Sequence, residues 1–211
     1  MTKLYYCYDA LCGWCYGFSS VMTTFYAKHR TEIGLEVISG GMITGDRIGP
    51  IGEVAGYIKT AYKDVENRCQ VTFGESFLDG TLAEGSAIFT SVPPAVALSI
   101  VKDKYPENAL DYAAVLQKAI YYDGIQPTDI DAYGLRAEKY GFDRDEFVRD
   151  MQSERYQLLA QDDFSKSNSF GVTGFPTLIA EAGDGKRYAI ARGYTDLAQL
   201  EKTWEAILGL N

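Results

Sequence analysis

Residues 3–8, Lys-Leu-Tyr-Tyr-Cys-Tyr, form an almost unbroken run of apolar and aromatic side chains that favour a strand, and Asp9-Ala10-Leu11 ends it. The period then changes. Phe18, Val21, Met22, Phe25 and Tyr26 recur at spacings of three and four, which predicts a helix over about 13–29 with one apolar stripe. Glu32-Ile33-Gly34 turns the chain, and Leu35 to Ser39 read as a second strand ending at Gly40-Gly41. Those two glycines fit an ordinary turn, or a place where backbone passes close to a ligand.

From Pro50 to about Phe170 the pattern is helical. Val54, Tyr57, Ile58, Ala61 and Tyr62 make one stripe. Pro93-Pro94 opens a second segment holding Val96, Ala97, Ile100 and Val101, and Pro106 opens a third with Leu110, Ala113, Leu116 and Ile120. Thr128 to Asp131 and Asp143 to Glu146 place side-chain oxygens where helix starts need them. A polar helix is expected over 154–169. Thr177 to Ile179 and Arg187 to Ala191 then read as an antiparallel strand pair about the turn 181–185. A last helix starts at Thr195-Asp196-Leu197 and turns Leu197, Leu200, Trp204, Ile207 and Leu208 to the sheet. The expected class is α/β, with strands at both ends of the chain and an all-helical insertion between them.

The 211 residues are enough for a full core without disulfide staples. With 20 basic against 29 acidic residues the net charge is −9, which argues against nucleic acid and against an anionic membrane surface as partner. No apolar run approaches the length of a membrane span. The sequence enters a strand at once, without the charged and apolar pattern of a leader, so a cytoplasmic setting is expected.

The chemistry concentrates at Cys12-Gly13-Trp14-Cys15, between the first strand and the first helix. Cysteine reacts as the thiolate, and the free N–H groups and positive dipole end of a first helical turn favour that anion. Cys12 is therefore the expected nucleophile and the more exposed thiol. Cys15, one turn in, is placed to resolve a mixed disulfide formed on Cys12. Zinc is the competing reading of such a pair, but Cys7, Cys69 and His29 supply no second ligand grouping, so no metal is expected. At the other end, Gly174-Phe175-Pro176-Thr177 puts a proline at the mouth of an apolar strand, a place suited to a cis peptide.

Strand, C-x-x-C helix, second strand, helical insertion, Gly-Phe-Pro-Thr, strand pair and last helix together resemble the DsbA family of thioredoxin-fold thiol–disulfide oxidoreductases, and within it the cytoplasmic, predicted protein disulfide isomerase branch. The resemblance implies a thioredoxin-like domain formed by 1–45 and 168–211, with 46–167 as a helical insertion domain. It implies that Pro176 is cis and packs on the cysteine pair, and that Phe175 lines the substrate-binding edge; Gly13 and Trp14, inside the cysteine turn, read as substrate-binding by their place, with a packed aromatic the alternative for Trp14. Substrates would be protein or small-molecule disulfides, with no bound cofactor and glutathione or another thiol as electron donor. Where the best-studied periplasmic members carry Pro-His between the cysteines this chain has Gly13-Trp14, so a weaker oxidant is expected. Tyr6 stands where thioredoxin-like proteins often have a buried acid, and Asp9 is the nearest carboxylate.

Two other classes stay open. A glutathione-dependent transferase or isomerase of the kappa-class or 2-hydroxychromene-2-carboxylate isomerase type would share the topology, though its family site uses a serine. A non-catalytic chaperone-like module would hold clients in an apolar groove with its cysteines incidental. Tyr16 and Phe18 are expected to be scaffold. His29 suits the end of the first helix as a cation, Cys7 reads as a small buried hydrophobe, and Cys69 is unassigned.

Overall fold

A computed structural model describes residues 2–183 and 185–208, without the side chain of Leu208. The expected inward turn of that leucine lies outside the described residues, as does Asp184 in the hairpin turn.

The first strand, β1 (Thr2–Tyr8), runs into helix α1 (Gly13–His29) and back to β2 (Ile33–Ser39), which pairs with β1 in parallel, Tyr6 opposite Val37. The chain then leaves the sheet. It passes through β3 (Gly49–Pro50), α2 (Ala55–Cys69), a π-type turn at Ser76–Thr81, α3 (Leu82–Glu84) and β4 (Ile88–Phe89). Five longer helices follow: α4 (Val92–Lys104), α5 (Ala109–Tyr121), α6 (Ile130–Ala137), α7 (Arg144–Met151) and α8 (Glu154–Ser169). It returns as β5 (Thr177–Glu181), β6 (Arg187–Arg192) and α9 (Leu197–Leu208). The strand order is β2-β1-β5-β6, with β5 antiparallel to both neighbours and a register shift at Leu178/Ile179. The helical segment also carries a two-residue antiparallel ladder, β3 with β4, too short to leave a periodic signal.

The pattern of β1 explains why it reads as continuously apolar. Leu4, Tyr6 and Tyr8 join the main core with Phe18, Met22 and Phe25 of α1, while Tyr5 and Cys7 join Ile38 and Ile179 on the other face under Phe170. With both faces covered, alternation has nothing to distinguish. Helix starts follow the expected chemistry. Asp129 accepts the Ala132 N–H at 3.0 Å, Asp143 that of Glu146 at 2.8 Å, and prolines occupy the first turn of α4. In α9, Leu200, Trp204 and Ile207 are buried, and Trp204 meets Phe25 of α1 edge-on at 5.9 Å. Buried His29 closes this contact through Nε2, 2.9 Å from Glu201 Oε2. A partly buried ion pair, Lys102 to Asp163 at 2.7 Å, ties α4 to α8, and Asp163 also accepts the Ser39 N–H at the end of β2.

Candidate active site

Cys12 caps α1. Its backbone is extended, its carbonyl accepts the N–H groups of Cys15 and Tyr16, and its sulfur accepts the Cys15 N–H at 3.4 Å. A sulfur held against the first helical turn meets the positive end of the helix. Cys15 is wholly buried, and burial first, then the adjacent Cys12 sulfur, push its thiol well above the ordinary range. Cys12 is only 6 % exposed itself, less than the helix-terminus position suggested, because the chain closes over it on two sides.

One side is the proline loop. The Phe175–Pro176 peptide is cis, and the Cys12 thiol donates to the Phe175 carbonyl at 3.4 Å. That loop is pinned by Thr177 Oγ1 donating to the Gly174 carbonyl at 2.8 Å and by the Gly193 N–H on the Pro176 carbonyl at 2.7 Å. The Phe175 ring lies directly on Gly40, where a Cβ would come within 2.2 Å of ring carbons. Gly41, at φ +67°, faces Phe164 in the same way. The glycine pair thus gives room to aromatic rings lining a cleft of about 380 Å³, in which Arg47, Asn168 and Thr173 supply polar groups.

The other side is α2. Trp14 is half-buried, with the Arg68 guanidinium 5.4 Å from its ring and Tyr194 at 6.3 Å. It lines both the polar cleft and a second, apolar cleft of about 260 Å³ against α2. Gly13 and Cys12 line the second cleft as well, and Phe175 only the first.

Beneath the cysteines lies a buried polar network that local sequence did not reveal. Asp9, 2 % exposed, accepts the Leu11 N–H at 2.9 Å, the Met42 N–H at 2.7 Å and the Ser91 hydroxyl at 2.9 Å. Its backbone carbonyl takes the Gln117 amide at 3.3 Å, and Gln117 in turn accepts from Ser19 of α1 at 2.6 Å. One carboxylate therefore ties the cysteine loop to the glycine loop and to the first turn of α4. Burial raises its pKa, against the lowering effect of these donors. Tyr6, at the position where an acid is often found, is a buried tyrosine whose hydroxyl has no hydrogen-bond partner. Tyr121 completes the floor by donating to the Leu11 carbonyl, and Tyr16 donates to the Thr72 carbonyl at 2.8 Å.

The remaining cysteines pack. Cys7 is fully buried and its thiol is pushed up to about 12 by burial. Cys69 sits where α2 crosses α1, its sulfur within 2.5 Å of the point a Gly17 Cβ would occupy, and burial raises it to about 11. Among the described residues no group of three or more His, Cys, Asp or Glu side chains could hold a metal ion, and no helix is long and apolar enough to cross a membrane.

The profile of the DSBA-like thioredoxin domain family matches residues 95–205, just over half of the chain. The chain belongs to that family. It is a DSBA-like enzyme of the thiol–disulfide oxidoreductase or isomerase kind. The matched stretch contains the Pro176 loop and not the cysteine pair, so the pair's place in this DSBA-like fold rests on the geometry above. Among solved structures, a proposed protein disulfide isomerase from Nitrosomonas europaea superposes with a TM-score of 0.87 at 23% identity, covering 100% of this chain and 98% of that one. The cytosolic disulfide reductase DsbM from Pseudomonas aeruginosa gives 0.81 at 25% identity over 99% and 100%. The same reductase with GSH gives 0.77 at 24% identity over 98% and 99%. No curated protein matches the sequence.

Proposed function

We infer that this DSBA-like protein exchanges disulfides through Cys12 and Cys15 and works in the reducing or isomerising direction. The Cys12 thiolate attacks a substrate sulfur, one substrate sulfur leaves as a thiol, and a mixed disulfide forms. Cys15 then attacks Cys12, releasing the second thiol and leaving a Cys12–Cys15 disulfide that two external thiols reduce. The observation that carries the reading is the placement of one sulfur at the mouth of α1, 3.4 Å from both the Cys15 N–H and the Phe175 carbonyl, above a fully buried partner thiol.

In this reading residues 1–45 and 168–211 form the thiol-bearing domain, and 46–167 the helical domain that shapes the approach to it. Substrates are protein or small-molecule disulfides, and glutathione is the first candidate donor, since the reductase resembling this chain has been crystallised with it. The same relative is cytosolic, which supports a cytoplasmic setting for this chain, where the resting pair is the dithiol.

Insulin reduction with glutathione as donor tests this. The wild type should turn over, Cys12→Ser should not, and Cys15→Ser should accumulate a mixed disulfide on Cys12. Equal rates for wild type and Cys12→Ser would end the reading. Equilibration of the pair against glutathione buffers should give a potential below that of the Pro-His enzymes, since Gly13-Trp14 brings no histidine to the thiolate.

A further inference from the structure

Cys12, Trp14 and Met42 are shared by two clefts, one of mixed lining and one almost wholly apolar. The one on the proline side has Arg47, Asn168 and the loop backbone. The one on the α2 side is walled by Ile43, Val54, Ile58, Ala61, Val65 and Phe89. Apart from Cys12 and Trp14, the polar side-chain atoms among its described lining residues are tyrosine hydroxyls, and that of Tyr121 is already engaged by the Leu11 carbonyl.

That lining selects its occupant. A peptide backbone laid there would leave N–H and C=O groups without partners, at a cost of kilocalories each. An aryl or branched alkyl group loses nothing by desolvation and gains burial. Cys12 lines the cleft, so a group held there is within a bond or two of a sulfur that Cys12 attacks. Its volume of about 260 Å³ suits a single ring or branched chain. Its rim is apolar too, with Val54 46 % and Tyr57 71 % exposed.

We propose that the α2-side cleft binds the apolar arm of a small mixed disulfide, so that the preferred low-molecular-weight substrate pairs an aryl or branched alkyl thiol with a polar thiol such as glutathione. The proposal rests on the disulfide-exchange reading above. Cys12 attacks the sulfur bearing the apolar arm; the S–S bond breaks and glutathione leaves as its thiolate, taking a proton. Cys15 attacks Cys12 and its proton goes to the departing apolar thiol. Two glutathione molecules then reduce the Cys12–Cys15 disulfide and become glutathione disulfide, so the electrons balance.

The test compares two substrates with the full chain: the glutathione mixed disulfides of benzyl thiol and of 2-mercaptoethanol. Released thiols are separated chromatographically, and each kcat/KM is divided by the uncatalysed rate with glutathione. The benzyl substrate should be favoured by roughly ten-fold, the selectivity a half-open apolar pocket provides. Ala61→Glu, which sets a charge on the wall, should reduce the benzyl-to-hydroxyethyl ratio about ten-fold. Tyr57→Ser, at a position so exposed that folding is safe, should reduce it about three-fold. A wild-type ratio near one, or a ratio unmoved by both variants, would overturn the proposal. So would a glutathione mixed disulfide of a Phe-Cys peptide whose turnover falls with Ala61→Glu while the benzyl rate holds, since the occupant would then be a peptide. If neither small disulfide were turned over by a wild type that still reduces insulin, this proposal alone would fall; if insulin too were left intact, the exchange reading would fall with it.

Discussion

The N-terminus of α1 and the middle of β1 both bury cysteine, and they treat sulfur in opposite ways. At α1 the Cys12 sulfur receives an N–H at the helix cap, and Cys12 lines two clefts. In β1 the Cys7 sulfur is fully enclosed by the core around Tyr5, Ile38 and Ile179, and burial carries its thiol up to about 12. The difference is one of backbone. A strand directs its N–H groups sideways into the ladder, whereas a helix leaves its first N–H groups free to face a side chain at the cap. Burial alone makes a thiol inert, and burial at a helix start leaves it a charge to lean on.

The sharpest way to break this contrast is to exchange sulfur for oxygen in each region. Cys12→Ser should reduce disulfide turnover by roughly 10³-fold or more, because the hydroxyl is a far weaker nucleophile and leaving group. Cys7→Ser should keep turnover within about two-fold and lose at most about 1–3 kcal/mol of stability, since the hydroxyl is buried but has the Ser167 hydroxyl beside it. Comparable losses of activity at both sites would show that β1 participates in the chemistry.

The next largest effect lies beneath α1. Asp9→Ala removes the acceptor of the Leu11 and Met42 N–H groups and of the Ser91 hydroxyl, and orphaned buried donors cost about 1–3 kcal/mol each. Urea unfolding should show a loss of roughly 3 kcal/mol or more, partly recovered in Asp9→Asn, which keeps one acceptor oxygen. A loss below about 1 kcal/mol would mean that water replaces the carboxylate and that the network does not hold the cysteine loop.

Gly40→Ala probes the proline side. A methyl group there meets the Phe175 ring within 2.2 Å, so the ring must swing aside or the loop that bears it must shift, and a shift of the loop takes the Phe175 carbonyl away from Cys12. Such overpacking costs about 1–3 kcal/mol, and turnover should fall about ten-fold as the loop leaves its position. Unchanged kinetics would separate Phe175 from the reaction.

What the sequence showed and what it hid divide by range. The helix after Cys12 was legible by its local period and the strand before it by its unbroken apolar and aromatic run, and the caps at Asp129 and Asp143 act across three residues. The Pro176 loop was legible through its proline, and the antiparallel pairing of β5 with β6 through its short turn, though not the register shift at Leu178/Ile179. The Asp9 network was not, because its partners lie 33, 82 and 108 residues away and share no pattern. The Gly40 contact was hidden for the same reason: a glycine pair reads as a turn until the ring it accommodates arrives from position 175. The π-type turn at Ser76–Thr81 and the two-residue β3–β4 ladder have no period long enough to count.

The smallest effect tests the strand side of the contrast directly. In the unfolded chain Cys7 loses its proton near its ordinary value of 9.0, and in the folded protein only near 12. Between those values the folded state binds more protons than the unfolded one, so stability falls as pH rises; the contribution is complete below 9.0 and lost by about 12. The slope cannot exceed about 1.4 kcal/mol per pH unit for one thiol. In the lower part of that window the urea midpoint of the wild type should therefore fall more steeply than that of Cys7→Ala, while the two run parallel below pH 9, where no thiol distinguishes them. Parallel curves throughout would mean that the centre of β1 leaves its sulfur titrating as it does in a coil, and that enclosure in the sheet is not what separates Cys7 from Cys12.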